Sequence, residues 1–278
     1  MTSVEELPAW SEPFATDRRE RLARLPALDS IDRTWAWGGS TGGGVSIAII
    51  DSGLEANHPE VKGRVVETLA VRLGGERATV EPDDMGDLFG HGTACASIIV
   101  GMAPEVDLVS IRVLGSDLKG KGEAFAEAME YAIHRPVHVA NLSLSSKSEA
   151  LFPLFHQLAD EAYFSDVVLV SAANNVAGPS YPSLFSSVIS VAAHADADPW
   201  RFYYNPSPPV EFGAWGVDVP VAWRDGGHTI ATGNSFAAPH ITALVALILA
   251  KHPGLTPFEV KAVLAAVANN PREAALAG

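Results

Sequence analysis

The sequence predicts an α/β fold in three layers, a mostly parallel central sheet with helices on both faces. Short β-branched runs bounded by turn residues recur along the chain, and segments with helical spacing fall between them. The strongest run, Val45 to Ile50, is almost continuously apolar, the pattern of a strand buried on both faces. Strands alternating with helices build β-α-β units, and such units build parallel sheets.

Taken in order, residues 1–28 read as an N-terminal extension, punctuated by Pro8, Pro13 and Pro26, with one short helix over Thr16 to Leu25. Residues 29–278 read as a single domain. Its first strand starts at Val45 and ends at Asp51, between a glycine-rich stretch and Asp51-Ser52-Gly53. Further strands are expected at Asp107 to Val113, Val137 to Leu142, Val167 to Ser171 and Val188 to Ala193. Helices are expected at Gly122 to His134 and Ser148 to Tyr163, with an apolar helix entered at His91. Two more, Ser235 to His252 and Thr256 to Ala268, close the chain with a Pro-Gly break between them. The stretch Trp200 to Gly227, rich in aromatics and proline, is expected to pack, with cleft shaping or self-association as alternatives. No internal repeat is visible.

Composition narrows the function. Hydrophobic content of 47% with 19% charged residues is ordinary for a globular protein. A net charge of −14 speaks against nucleic-acid binding, which needs Lys and Arg to displace phosphate counterions. Cys95 is the only cysteine, so no internal disulfide and no thiolate cluster can form. The acidic start, with Glu5 and Glu6, lacks the positive charge and apolar core of a secretory signal, which predicts a cytoplasmic protein. The longest apolar run, Ile241 to Ala250, is too short to span a bilayer and reads as a buried helix, so no membrane association is expected.

Four residues point to chemistry. Asp51 ends the first strand, and strand C-termini in an open parallel sheet face the ligand crevice; an Asp-Ser-Gly turn is the plainer reading. His91 is flanked by Gly90 and Gly92, which leave its ring approachable, and Cys95 lies one helical turn along. Ser235 opens an apolar helix, where its hydroxyl would stand beside free backbone N–H groups, although a serine or asparagine there also serves as a helix cap. Asn175 follows a strand, where an amide donor can stabilise the oxygen that turns negative when a carbonyl is attacked. Together they supply an orienting acid, a base, an oxyanion donor and a nucleophile.

The motifs that hold them are Ile50-Asp51-Ser52-Gly53 with His58-Pro59, His91-Gly92-Thr93, Ala103 to Leu108, Asn141-Leu142-Ser143-Leu144 and Gly233 to His240. They resemble those of the subtilisin-like serine proteases, with matching segments from about Leu28 to Ala268. The resemblance implies a serine endopeptidase that acts on a peptide or protein substrate without a cofactor. Asp51 would hold the imidazole, His91 act as base and then acid, and Ser235 form the acyl-enzyme. Asn175 and the Ser235 N–H would make the oxyanion hole. Ser143, Leu144 and Ser145 would lie along an extended substrate backbone, with Ala173 and Asn174 as further substrate contacts.

Departures from the family pattern bear on specificity and metal. Asn234 stands where the family has threonine, Asn174 where it has glycine, and Ser145 where it has glycine, which predicts a narrower pocket for the residue before the cut bond. The helix after His91 leaves no room for an inserted calcium loop, so no metal is expected there, although Glu60 sits where a carboxylate ligand would be. The short N-terminal extension is too small for a folded propeptide, so the expectation is either an enzyme cut from a longer precursor or, the favoured reading, a compact enzyme similar to intracellular subtilases or to proteases that trim leader peptides. Two alternatives remain: transfer of the acyl-enzyme to an amine, giving peptide cyclisation, and a non-catalytic module that binds peptides in the same cleft. Acidic charge favours basic substrates in general.

Overall fold

Ile47 and Ile49 pack on one side of the first strand while Ala48 and Ile50 pack on the other, because successive side chains in a strand point to opposite faces. All four are fully buried, so this strand has a layer of helices on each side. The computed structural model describes residues 30–74, 77–207 and 209–271. The expected extension and its helix over Thr16 to Leu25 lie outside the described residues.

The first strand, β1 (Ser46–Asp51), sits near the middle of a nine-stranded sheet. Its companions are β2 (Val65–Gly74), β3 (Arg77–Pro82), β4 (Asp107–Arg112), β5 (Val139–Leu142), β6 (Val168–Ala172), β7 (Ile189–His194), β8 (Phe202–Tyr204) and β9 (Phe212–Trp215). Across the sheet the order is β3-β2-β4-β1-β5-β6-β7-β9-β8. All neighbours are parallel except the outermost pair at each edge, β2 with β3 and β8 with β9. A separate hairpin joins β10 (Val219–Trp223) to β11 (Gly227–Ala231).

One face carries α1 (Arg33–Trp37), α2 (His91–Met102), α5 (Asn234–Lys251) and α6 (Pro257–Val267), whose apolar side chains join those of Ile47 and Ile49 in one cluster. The other face carries α3 (Gly122–Ile133) and α4 (Phe152–Phe164), packed with Ala48 and Ile50. By length and composition α5 could cross a membrane, with a mean hydropathy of 1.3, but 78% of it is buried. It is the central helix of the larger core, as its apolar run predicts.

Within the described residues the strands and helices read from the sequence are present, with most ends shifted by one or two residues; the segment over Ser148 to Tyr163 begins as a 3₁₀ turn at Glu149–Leu151 before α4. The hairpin β2–β3, the strands β8 and β9 and the hairpin β10–β11 were not foreseen. β2 buries only Leu69 and Ala70 and carries Glu67 and Arg72, and β8 and β9 are too short to show a period. Their pairing is supplied by the neighbouring strand rather than by local pattern. The stretch Trp200 to Gly227 packs: Phe202 and Phe212 are buried at the sheet edge, and Val219 and Val221 join a small cluster with Ala94, Ile98 and Phe236 between α2 and α5.

Candidate active site

The C-terminal end of β1 and the start of α2 bring Asp51 and His91 together. Asp51 is the last residue of β1 and His91 the first of α2. The two glycines beside His91 are there for close packing rather than to expose its ring. Gly90 has φ +116°, a backbone conformation that side-chain-bearing residues rarely adopt, and the Trp223 indole lies 2.5 Å from where its Cβ would be. At Gly92 a Cβ would fall 2.0 Å from the Gly53 carbonyl oxygen. Helix α2 is thereby pressed against the turn that follows Asp51.

Asp87, a residue with no sequence motif around it, secures this arrangement. Its Oδ1 accepts from Phe89 N (3.0 Å), Gly90 N (2.7 Å) and Ser52 Oγ (2.7 Å), and its Oδ2 from Thr93 N and Thr93 Oγ1 (2.8 and 2.7 Å). A carboxylate at a helix N-terminus satisfies amides that have no partner within the helix and complements the helix dipole. Asp51 is fully buried, accepts from Ser52 N at 2.7 Å, and places both carboxylate oxygens 2.9 Å from His91 Nδ1. Burial alone would push the His91 pKa down, but the adjacent Asp51 carboxylate outweighs it and holds the imidazole well above 6.5. Burial also pushes the Cys95 thiol up, so it is neutral near pH 7 and adds no charge to the pair.

Ser235 is in the first turn of α5. Four residues later stands Pro239, which has no N–H, so the Ser235 carbonyl lacks the usual helical partner. Ser143 Oγ donates to it at 2.9 Å, and the Cys95 thiol lies 3.6 Å away. Behind Ser143 runs a buried chain: Thr242 Oγ1 donates to Asn141 Oδ1 (2.9 Å), and Asn141 Nδ2 donates to Ser143 Oγ (3.0 Å). Such linked bonds polarise and fix one another.

The Asn234 side chain links three strand-end backbone groups. Its Oδ1 accepts from Ala193 N (2.9 Å), and its Nδ2 donates to the carbonyls of Ala173 (3.0 Å) and Asn174 (3.3 Å), tying α5 to the ends of β6 and β7. The Asn234 N–H donates to Asn175 Oδ1 at 2.9 Å. Because a backbone N–H can only donate, this contact fixes the Asn175 amide with its NH₂ free. A Cβ on Gly233 would lie 3.3 Å from Ser235 Oγ and 3.4 Å from Asn175 Nδ2, so the two side chains converge on one spot.

Of the residues expected in catalysis or substrate binding, all except the buried Asp51 line one cleft of about 510 Å³: His91, Ser235, Asn175, Ser143, Leu144, Ser145, Ala173 and Asn174. No hydrogen bond joins Ser235 Oγ to His91, though both line the cleft; the Cys95 thiol lies 3.9 Å from His91 Nδ1 and 3.6 Å from the Ser235 carbonyl. Asn174 Nδ2 reaches Ser145 Oγ at 3.4 Å across the floor. Asp87, Asn141 and Thr242 were missed as contributors. Asn141 lies within a quoted motif, while Asp87 and Thr242 act through backbone and neighbour contacts that no local pattern announces.

Among the described residues, the donor atoms close enough to share a metal ion are those of Asp51, His91 and Cys95, within 4.8 Å of one another. All three are buried, and the Asp51–His91 contacts already engage two of them. Helix α2 runs unbroken from His91 to Met102, and Glu60 accepts from His228 at 2.5 Å.

Residues 42–277 match the family model described as the subtilase family. Subtilisin DY of Bacillus licheniformis is 31% identical over 247 residues, covering 84% of this chain and 86% of that protein. An intracellular serine protease of Paenibacillus polymyxa is 29% identical over 263 residues, covering 85% and 76% respectively. The crystal structure of a cold-adapted subtilisin-like serine proteinase superposes with a TM-score of 0.69 at 26% identity, over 86% of this chain and 89% of that one. With its order of Asp, His and Ser motifs, its three-layer fold and this cleft, the chain belongs to the subtilase family of subtilisin-like serine proteases.

Proposed function

We propose that this subtilase cleaves peptide bonds through an acyl-enzyme on Ser235. The observation that carries the reading is the placement of His91 Nδ1 2.9 Å from both Asp51 oxygens, with its ring lining the same cleft as Ser235 and Asn175. With the Nδ1–H donating its hydrogen bond to Asp51, Nε2 is the basic nitrogen. It takes the Ser235 proton as Oγ attacks the scissile carbonyl. The Asn175 NH₂ and the Ser235 N–H, which has no acceptor among the described residues, receive the resulting oxyanion. His91 then protonates the leaving amine, and the same steps with water release the acid and restore the serine. Substrate binding tightens the Ser235–His91 contact, as such contacts are commonly loose before the substrate is present.

The Ser145–Asn174 contact narrows the space beside the nucleophile and favours a small side chain before the cut bond. That restriction fits trimming of one dedicated precursor peptide better than broad digestion. A fluorophosphonate is expected to label the protein stoichiometrically, with labelling abolished in Ser235→Ala. Folded protein that resists the reagent would refute the acyl-enzyme.

A further inference from the structure

The chain carries 33 acidic against 19 basic residues, yet among the described residues no carboxylate lines the cleft. Besides His91, its charged side chains are Lys119 and Lys121, from the segment that leads into α3. Lys119 pairs with Asp117 at 3.3 Å. Lys121 is exposed and forms no ion pair with a described residue. In an acidic protein, an unopposed lysine at the wall of the substrate cleft is available to a carboxylate brought by the substrate.

The position of that carboxylate follows from the strand geometry. Ser143 stands at the Ser235 carbonyl, while a Cβ on Gly122, next to Lys121, would lie 3.8 Å from Ser146 Oγ. From Ser143 to Ser146 is three residues, about 10 Å at the rise of an extended strand. A peptide paired along this segment therefore passes Lys121 with its third or fourth residue ahead of the cut bond.

Resting on the acyl-enzyme reading above, we infer that Lys121, assisted by Lys119, selects substrates with Asp or Glu at the third or fourth residue before the scissile bond. The overall negative charge does not override this. At physiological ionic strength fields are screened over about 8 Å, so contact lysines outweigh distant carboxylates. The simple expectation from net charge, a preference for basic substrates, is reversed at the cleft.

The test uses peptides that differ only by Glu, Gln or Lys at the second to fifth residues before the cut. Each is measured for kcat/KM on the wild-type protein and for Kd on Ser235→Ala. Glu at the third or fourth position is expected to exceed Gln by about two- to fivefold, the range of exposed ion pairs, with Lys weaker than Gln. Lys121→Gln should erase the difference and Lys121→Glu invert it; 1 M salt should flatten the wild-type preference. A wild type that cleaves all three peptides equally, or a Glu preference unchanged in both Lys121 variants, would overturn the inference alone. Binding that favours Glu without any turnover would instead sink the acyl-enzyme reading and leave this one standing.

Discussion

The two halves of the cleft are built differently. The Asp51–His91 half comes from two pieces of chain, Asp51 to Gly53 and Asp87 to Thr93, locked by the five hydrogen bonds that Asp87 accepts and by two glycines that admit no side chain. The Ser235 half is assembled from distant parts: Ser143 on the segment after β5, Ala173 to Asn175 after β6, Ala193 on β7 and Asn234 to Thr242 on α5. His91 is held by a local cap, whereas Ser235 is held by long-range polar links across three strands. Damage to the first half should therefore appear mainly as lost stability, and damage to the second mainly as lost rate.

The largest expected effect abolishes the contrast, since either half is useless alone. Ser235→Ala or Asp51→Asn should lower kcat by about 10⁴-fold or more with the fold intact, read by steady-state kinetics alongside thermal melting. A smaller loss in Asp51→Asn would mean that His91 is oriented by something other than the carboxylate.

Protonation separates the halves next. His240, buried on α5 with Nδ1 donating to the Phe236 carbonyl, has its pKa lowered by burial to about 4. The unfolded chain binds this proton from about pH 6.5, so stability is intact above 6.5 and falls as pH drops toward 4, by up to about 3 kcal/mol. His91 runs the other way: its pKa is raised, so its pairing stabilises the fold at low pH and that contribution fades as pH rises past the folded value. Activity needs the neutral imidazole, so kcat/KM should climb with pH through a limb above 6.5. Denaturation midpoints from pH 4 to 8 in wild type and His240→Gln, with a pH–rate profile, check both; a variant as acid-sensitive as wild type would acquit His240.

Legibility in the sequence follows the same division. β1, α2 and α5 were readable because their patterns are long or end in motif residues, and the four chemical residues were readable because each stands at a strand end or helix start. The polar links were not. Asp87 has no periodic neighbours, and Thr242 looks like one more small residue in an apolar helix. The net charge does not foretell the lining of the cleft, which among the described residues holds no carboxylate, because a count over the chain does not say which carboxylates reach it.

Asp87→Ala should cost about 2 kcal/mol or more, since it removes a helix cap and leaves several amides unpartnered. Its kcat should stay near wild type wherever the protein is folded. Ser143→Ala should do the reverse, leaving the Ser235 carbonyl with only the Cys95 thiol, for about 1 kcal/mol of stability and a roughly tenfold drop in kcat. Thr242→Val, one link further back, should produce a weaker version of the same change. Equal stability losses in Asp87→Ala and Ser143→Ala would erase the distinction between the halves.

The most direct test is a crystal structure of the fluorophosphonate-treated protein. The account predicts phosphorus bonded to Ser235 Oγ, a phosphoryl oxygen within hydrogen-bond reach of Asn175 Nδ2 and the Ser235 N–H, and His91 Nε2 turned toward Oγ with Nδ1 still on Asp51. An adduct on another residue, or one on Ser235 with His91 remaining out of reach, would contradict it.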